Sequence, residues 1–295
     1  MELIDILEVV RARFLTLSLV LGITAGALAA YQNAFSFFRM ALGMLGLFAL
    51  HMAVNSLNSA SDARRGIDSE TSKTRFSGGI DTITEGRISY ATARNIGTLL
   101  IISTVPVYSY FASFYRAEIV LIMAISAITA SVGYTDLFAR AGLGEIVTGL
   151  GLGSLSIITL YYFQSGHLNF TALYTSALIS APVFNLILLN EYPDIDTDRK
   201  YGRVNIPIIL GKRNGVIIYS IAAIVFYSGI IIGSLYLGLP QTLLLSTLTS
   251  PVILAIIYKM MKQGYKTKER TLKYNILWAH ISVLSIACSY ILPLI

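Results

Sequence analysis

At 295 residues the chain has room for one large domain or two ordinary ones, but 55% of its residues are hydrophobic and only 13% are charged, and its apolar runs are long enough to span a bilayer. That balance excludes a soluble globular protein, and long continuous runs rather than short alternating ones exclude a β-barrel, which leaves a helix bundle in lipid. The net charge of +6 does not point to nucleic acid, because the basic residues sit between apolar runs, and a single cysteine, Cys288, permits no disulfide framework or thiolate metal site within one chain.

The N-terminal MELIDILEVVRARF is amphipathic and leads directly into the first span, without the pattern of a cleavable signal. Nine spans are predicted, over residues 14–32, 36–58, 95–114, 117–136, 144–163, 170–190, 214–237, 241–260 and 274–294, forming one polytopic domain of 1–295. The first, second, fifth and seventh contain several glycines, as close packing in lipid favours. Pro106, Pro182 and Pro251 fall within spans and are expected to kink them. With this count, 20 of the 22 basic residues lie on one side of the membrane and only Arg39 and Arg116 on the other. The basic side is therefore expected to be cytoplasmic and the tail ILPLI outside.

The second span does not end cleanly. Residues 51–79, HMAVNSLNSASDARRGIDSETSKTRFSGG, pass from apolar helix into a charged segment without a break. Asn55, Asn58 and Asp62 share one helical face, and His51 extends the stripe inward. Such groups at the end of a membrane helix are costly unless they face a cavity or a ligand. Asp68 follows, then Lys73 and Arg75; mixed acid and base of this kind suits a divalent metal that holds a polyanion.

The sixth span ends in the same way, with NEYPDIDTDRKYGR at 190–203. Asn190, Asp194 and Asp198 are each four apart and stack on one stripe, while Asp196 points elsewhere; Pro193 marks a kink or a new helical turn. Two spans that both end in asparagine and run into aspartates on the same side hint at related halves around a shared centre. Carboxylate and amide oxygens from facing helices are hard ligands suited to Mg²⁺, which keeps waters and bridges to substrate phosphates. Lys73, Arg140 and Arg199 flank the acids and suit phosphate oxygens. The implied ligand is a diphosphate at the mouth of a membrane cavity, and the natural diphosphate with a lipid-soluble tail is a prenyl diphosphate. Departure of pyrophosphate leaves an allylic cation in an apolar chamber, where aromatic faces stabilise it; an acceptor attacks C1 and a base removes a proton.

NSLNSASDARRGID at 55–68 resembles the first aspartate-rich motif of the UbiA superfamily of intramembrane prenyltransferases, in the Asn-x-x-Asn-x-x-x-Asp-x-x-x-Gly-x-Asp form of its menaquinone-forming, MenA-like branch. NEYPDIDTDRKYGRVNIPIILGK at 190–212 is similar to the second motif, and YTDLFARAGLGE at 134–145 to the Tyr-Thr segment that precedes Gly-Leu-Gly-Glu in that branch. The resemblance implies an all-α integral membrane protein, nine helices around a central cavity with polar cap loops on the cytoplasmic side, and transfer of a prenyl group to an aromatic ring or a polar lipid precursor. It makes Asn58, Asp62, Asp68, Asp194 and Asp198 the metal-side residues, and sets Lys73, Tyr134 and Arg140 where a diphosphate is expected. Asp62, Asp68, Asp194 and Asp198 are the catalytic candidates; His51, Asn55, Asn190 and Arg199 join Lys73, Tyr134 and Arg140 toward the substrates. Ser59, Glu191-Tyr192-Pro193 and Ala12 depart from the usual pattern and bear on the acceptor.

Plainer readings compete at several positions. An isolated Asp68 or Asp196 also fits a solvated loop charge, and topology alone explains Lys259 to Lys273. His51 also suits a hydrogen bond between helices, His280 and Cys288 packing in the last span, and Glu145 a cap of the fifth helix. The sequence thus points to a Mg²⁺-dependent prenyltransferase that joins a prenyl group, with geranylgeranyl diphosphate as the expected donor, to an aromatic quinone precursor. A glycerol phosphate lipid precursor is the alternative acceptor. A cation-coupled transporter is the rival of another class, but transporters place ions near the bilayer midplane, whereas these acids cluster at one face.

Overall fold

All nine expected spans fold as helices. The computed structural model describes residues 2–70 and 79–295, with backbone alone at 69 and 70. The described residues form nine helical segments long and apolar enough to cross a bilayer: Ala12–Tyr31, Phe37–Arg65, Tyr90–Phe114, Ala117–Phe138, Gly144–Ser165, Phe170–Lys200, Lys212–Tyr236, Gln241–Lys262 and Glu269–Leu294. The ends differ most where polar residues prolong an apolar helix. The second span runs past residue 58 to Arg65 and stops at Gly66, whose φ of 77° is the left-handed cap that glycine adopts without strain. The sixth runs to Lys200 through a tight turn at Tyr192–Asp194.

The prolines act in two ways. Pro106 stands in the first turn of Val105–Phe114, after a break that follows Tyr90–Ile102. Pro251 likewise opens Ser250–Lys262 behind the tight stretch Gln241–Thr249. At a helix start no backbone N–H is needed, so proline divides the span at little cost. Pro182, by contrast, lies inside the continuous helix Phe170–Asn190.

Lipid tails give no hydrophobic drive between helices, so close approach and shared hydrogen bonds hold the bundle. Gly149 and Gly153 let the fifth span lie against the backbone of the sixth, where Ser154 Oγ donates to Ser176 O at 2.8 Å. Asn185, Tyr219 and Asn275 tie the sixth, seventh and ninth spans. Asn185 donates to Tyr219 O (3.0 Å), Tyr219 OH to Asn275 Oδ1 (2.9 Å), and Asn275 to Asn185 O (3.2 Å). Trp278 is fully buried beside them and donates to Tyr227 OH at 2.9 Å. At the end of the bundle remote from the acidic motifs, Arg39 donates to Gln164 O (2.6 Å) and Tyr115 OH (2.9 Å), while Ser36 N donates to Gln164 Oε1 (2.7 Å).

The helix Leu3–Val9 lies outside the spans and exposes Leu3, Ile4 and Leu7. Arg87 fastens it, pairing with Asp5 at 2.5 Å and Glu8 at 3.1 Å. The Glu2 backbone N–H and, against the effect of burial, the Arg87 guanidinium lower the Asp5 carboxyl below its ordinary value of 3.8. A depressed carboxyl stabilises the fold above its unfolded value and ceases to do so as pH falls through the folded one. Hydrogen-exchange protection factors over residues 3–9 are therefore expected to hold from pH 6 to 4, fall below that, and be low throughout in Arg87→Gln. Gly153 gives a second expectation. A Cβ there would stand 3.1 Å from Ser180 Cα and 3.3 Å from Ile179 O, so Gly153→Leu forces the two spans apart and costs about 1–3 kcal/mol, read as a lower thermal midpoint.

Candidate active site

A cavity of about 530 Å³ opens among the spans, and the polar stripe of the second span faces it. Gly43, His51, Asn55, Asn58 and Asp62 all line it. Gly43 and Asp62 are nineteen residues apart, about 28 Å along a helix axis. At the Gly43 end stand Leu160 and Phe163, packed against that glycine, with Tyr108 edge-on to Phe163, whereas the lining carries Asn58, Asp62, Asp68, Asn190, Asp194 and Asp198 around the far end of the second span. The chamber therefore grades from an apolar floor to an acidic mouth.

Local structure explains how residues distant in the chain meet there. Asn190 ends the long helix of the sixth span, Pro193 opens the turn Tyr192–Asp194, and the short helix Ile195–Lys200 carries Asp198 inward. Asp196 and Arg199, rotated from that stripe, are exposed. Gly202 then adopts φ 74° and turns the chain, so that Arg203 N returns to Asp198 O at 2.9 Å. The Arg203 side chain reaches across to the second span. It donates to Asn58 Oδ1 at 2.9 Å and to Asp62 Oδ1, and lies 3.7 Å from Asp198 Oδ1. Burial works against its charge, but Asp62 and Asp198 outweigh that and raise its pKa above the ordinary arginine value.

The rest of the mouth braces this bridge. Asn58 Nδ2 donates to Asp62 Oδ2 at 3.0 Å, and Thr135 Oγ1 donates to Asn58 Oδ1 at 3.0 Å. Thr135 and Tyr134 sit on a widened turn in which Ala139 N bonds to Tyr134 O at 2.8 Å, five residues back, a departure from regular helix that recurs at functional sites. Asn205 Nδ2 lies 3.3 Å from Asp198 Oδ2. Asp68 is buried, its carboxylate packed so tightly on Gly79 that a Cβ there would clash. Asn190 Oδ1 is buried without a hydrogen-bond partner.

The expected site residues fall into three groups. His51, Asn55, Asn58, Asp62, Asp68, Tyr134, Asn190, Asp194 and Asp198 all line the chamber. Arg140 and Arg199 do not: both are exposed, Arg140 beyond the widened turn and Arg199 one position past inward-facing Asp198. Lys73 lies outside the described residues. Three further differences are informative. His280 lines the chamber rather than only packing, with Nε2 3.1 Å from Thr16 Oγ1. Glu145 is buried, and its Oε1 caps the helix Ile206–Leu210 through Ile206 N at 2.6 Å rather than the fifth span. Arg203, Thr135 and Asn205 were not expected at the mouth; the signal for Arg203 is the helix-ending Gly202 directly before it.

The donor set at the mouth is entirely of hard oxygens. Among the described residues no three acidic, histidine or cysteine side chains gather closely enough to cage one ion. That arrangement fits Mg²⁺, which takes one or two carboxylates and completes its shell with waters and phosphate oxygens. Asn190 Oδ1 has a lone pair to offer.

Residues 19–281 match the model of the UbiA prenyltransferase family. UbiA prenyltransferase domain-containing protein 1 of Rattus norvegicus is 26% identical over 243 residues, covering 81% of this chain and 70% of its own length. The fold is shared with a UbiA homologue from Aeropyrum pernix K1 (TM-score 0.71, 19% identity, 95% and 98% of the two chains). It is also shared with a UbiA homologue from Archaeoglobus fulgidus bound to DMAPP and Mg²⁺ (0.67, 12%, 97% and 99%) and with a digeranylgeranylglyceryl phosphate synthase (0.67, 16%, 98% of each).

Removing Arg203 leaves Asp62 and Asp198 buried without their counter-charge. Arg203→Met is expected to cost about 3 kcal/mol of stability, and adding Asp62→Asn is expected to recover much of it. Thermal unfolding of the two single variants and the double variant reads that coupling directly.

Proposed function

The chain belongs to the UbiA prenyltransferase family, and on that premise we propose that it transfers a prenyl group from a prenyl diphosphate to an aromatic quinone precursor, releasing pyrophosphate. The observation that supports this reading is the graded chamber, apolar at Tyr108, Leu160 and Phe163 and acidic at Asn58, Asp62, Asp194 and Asp198. It suits one molecule with a lipid-soluble tail and a charged head. Family membership removes the transporter reading.

Asp62, Asp68, Asp194 and Asp198, with Asn58, are the residues that would hold Mg²⁺. When bound, Mg²⁺ supplies positive charge that stabilises the departing pyrophosphate. Arg203, which already spans the two motifs, is placed to give guanidinium donors to phosphate oxygens. Tyr134 and Asn190 border the same end. As the C1–O bond breaks, its electron pair leaves with pyrophosphate and an allylic cation remains. The apolar walls keep water from that cation, so the acceptor carbon meets it first. A C–C bond forms at C1, and the ring carbon loses its proton.

A chamber extending about 28 Å along the second span favours a long donor such as geranylgeranyl diphosphate. The excess of basic residues beside the acids favours a cytoplasmic mouth with the C-terminus outside, the whole chain acting as one domain. A second reading, transfer to a glycerol phosphate lipid precursor, is favoured by the likeness to digeranylgeranylglyceryl phosphate synthase.

Purified protein with Mg²⁺ and labelled geranylgeranyl diphosphate is expected to release pyrophosphate only when a suitable acceptor is present. Dihydroxynaphthoate, hydroxybenzoate and geranylgeranylglyceryl phosphate distinguish the two readings. Asp62→Ala and Asp198→Ala are expected to lower kcat by on the order of 10²–10³ while the protein stays folded. EDTA is expected to abolish turnover and added Mg²⁺ to restore it. Full activity in both variants removes the proposal.

A further inference from the structure

The turn between the eighth and ninth spans gathers six cations, none of which lines the chamber. Lys259 and Lys262 close the helix Ser250–Lys262, Lys266 and Lys268 follow, and Arg270 and Lys273 stand at the start of Glu269–Ile291. Topology accounts for their side of the membrane but not for their arrangement. Tyr274 of the ninth span draws two of them together. Lys259 Nζ, from the eighth span, stands 4.0 Å from the centre of its ring and Arg270 Cζ 5.6 Å from it. Arg270 Nε also donates to Tyr274 OH at 3.2 Å. Lys262 Nζ lies 5.9 Å from the ring centre of Tyr258.

The fold does not compensate this charge. Among the described residues none of the six forms an ion pair, and Glu269 is the one acid between residues 254 and 277. Arg270 and Lys273 stand near the start of a helix, where the dipole favours anions over cations. A ring face holds an exposed cation by only about 0.5–1 kcal/mol and leaves its charge in place. The same two helices present apolar strips that begin at the cations and run deeper into the membrane. Leu254, Tyr258 and Met261 share one face of the eighth span by their +4 and +3 spacing, and Arg270, Tyr274 and Leu277 share one face of the ninth. Leu254, Tyr258, Met261 and Leu277 are all exposed. Each strip is therefore apolar in its depth and cationic at its rim.

We propose that this turn binds an anionic phospholipid of the surrounding bilayer, its phosphate among Lys259, Lys262 and Arg270 and its acyl chains along Leu254, Tyr258, Met261 and Leu277. The pairing of a cationic rim with exposed apolar strips selects a lipid over a free anion, because a soluble phosphate matches the charges alone. Lysines and arginines clustered just beyond a membrane helix recognise anionic headgroups, each contributing about 1 kcal/mol. The site lies outside the chamber, so it stands apart from the proposed reaction.

The test titrates full-length protein in neutral detergent with dioleoylphosphatidylglycerol, dioleoylphosphatidylcholine and sn-glycerol 3-phosphate, counting bound lipid by native mass spectrometry. The wild type is expected to bind the anionic lipid about tenfold or more tightly than the zwitterionic one, and to keep it against excess glycerol 3-phosphate. Replacing Lys259, Lys262 and Arg270 together by glutamine is expected to weaken that binding by about ten- to a hundredfold, from about fivefold per residue. Lys259→Arg with Lys262→Arg retains it. Removing the same charge elsewhere on that side, by Arg94→Gln, Lys212→Gln and Arg213→Gln together, is expected to leave binding within about twofold of the wild type. Should the first triple variant not fold, Lys262→Gln and Arg270→Gln, each at an exposed side chain, carry the test singly. Equal binding of the two lipids by the wild type overturns the proposal. So does an equal loss in the two triple variants, which reduces the effect to overall charge. Displacement by glycerol 3-phosphate also overturns it, by assigning the cations to a soluble anion.

Discussion

Arg203 is the interaction on which the chamber's mouth depends. One guanidinium touches Asn58 and Asp62 from the second span and approaches Asp198 from the sixth. Residues about 140 positions apart in the chain therefore share a single counter-charge. Without it the two helix ends would present like charges to one another in a site largely closed to water, where repulsion is screened least. The fork geometry of arginine matters here, since a lysine ammonium cannot address an amide and two carboxylates from one planar group.

The cost of polarity in lipid orders the remainder. Asn185, Asn275 and Tyr219 satisfy one another between helices and serve as glue. The groups along the chamber are of another kind: Asn190 and Arg11 retain buried atoms with no partner in the fold. An unsatisfied polar atom beside a cavity is a statement about what enters the cavity. Glu191 keeps a third such atom, its Oε2, on the same lining.

Much of this was legible in the sequence because lipid imposes simple rules. Nine apolar runs were enough to count the spans, and the +3/+4 spacing of Asn55, Asn58 and Asp62 placed them on the chamber face. The stripe of Asn190, Asp194 and Asp198 survived a proline because the tight turn at Tyr192–Asp194 resumes the helix in nearly the same phase. Arg140 and Arg199 were harder, because proximity to an acid in sequence does not give direction: a widened turn displaces one and a single helical step the other. Arg203 escaped notice because its position depends on how a left-handed glycine redirects the chain, which periodicity does not describe. Glu145 was read as a cap, correctly in kind, but the helix it caps is brought to it by tertiary structure.

The Arg39 cluster carries a mechanical consequence. There a guanidinium grips Gln164 O and Tyr115 OH while Gln164 in turn holds Ser36 N, so three connections of the bundle are stapled at the floor. At the opposite end the spans are tied through ionic contacts that compete with incoming phosphates and metal. A bundle fastened at its base and held by exchangeable charge at its rim widens like a clothes-peg, at one end only. Traffic that strains the rim leaves the floor, and with it the depth available to a tail, unaltered.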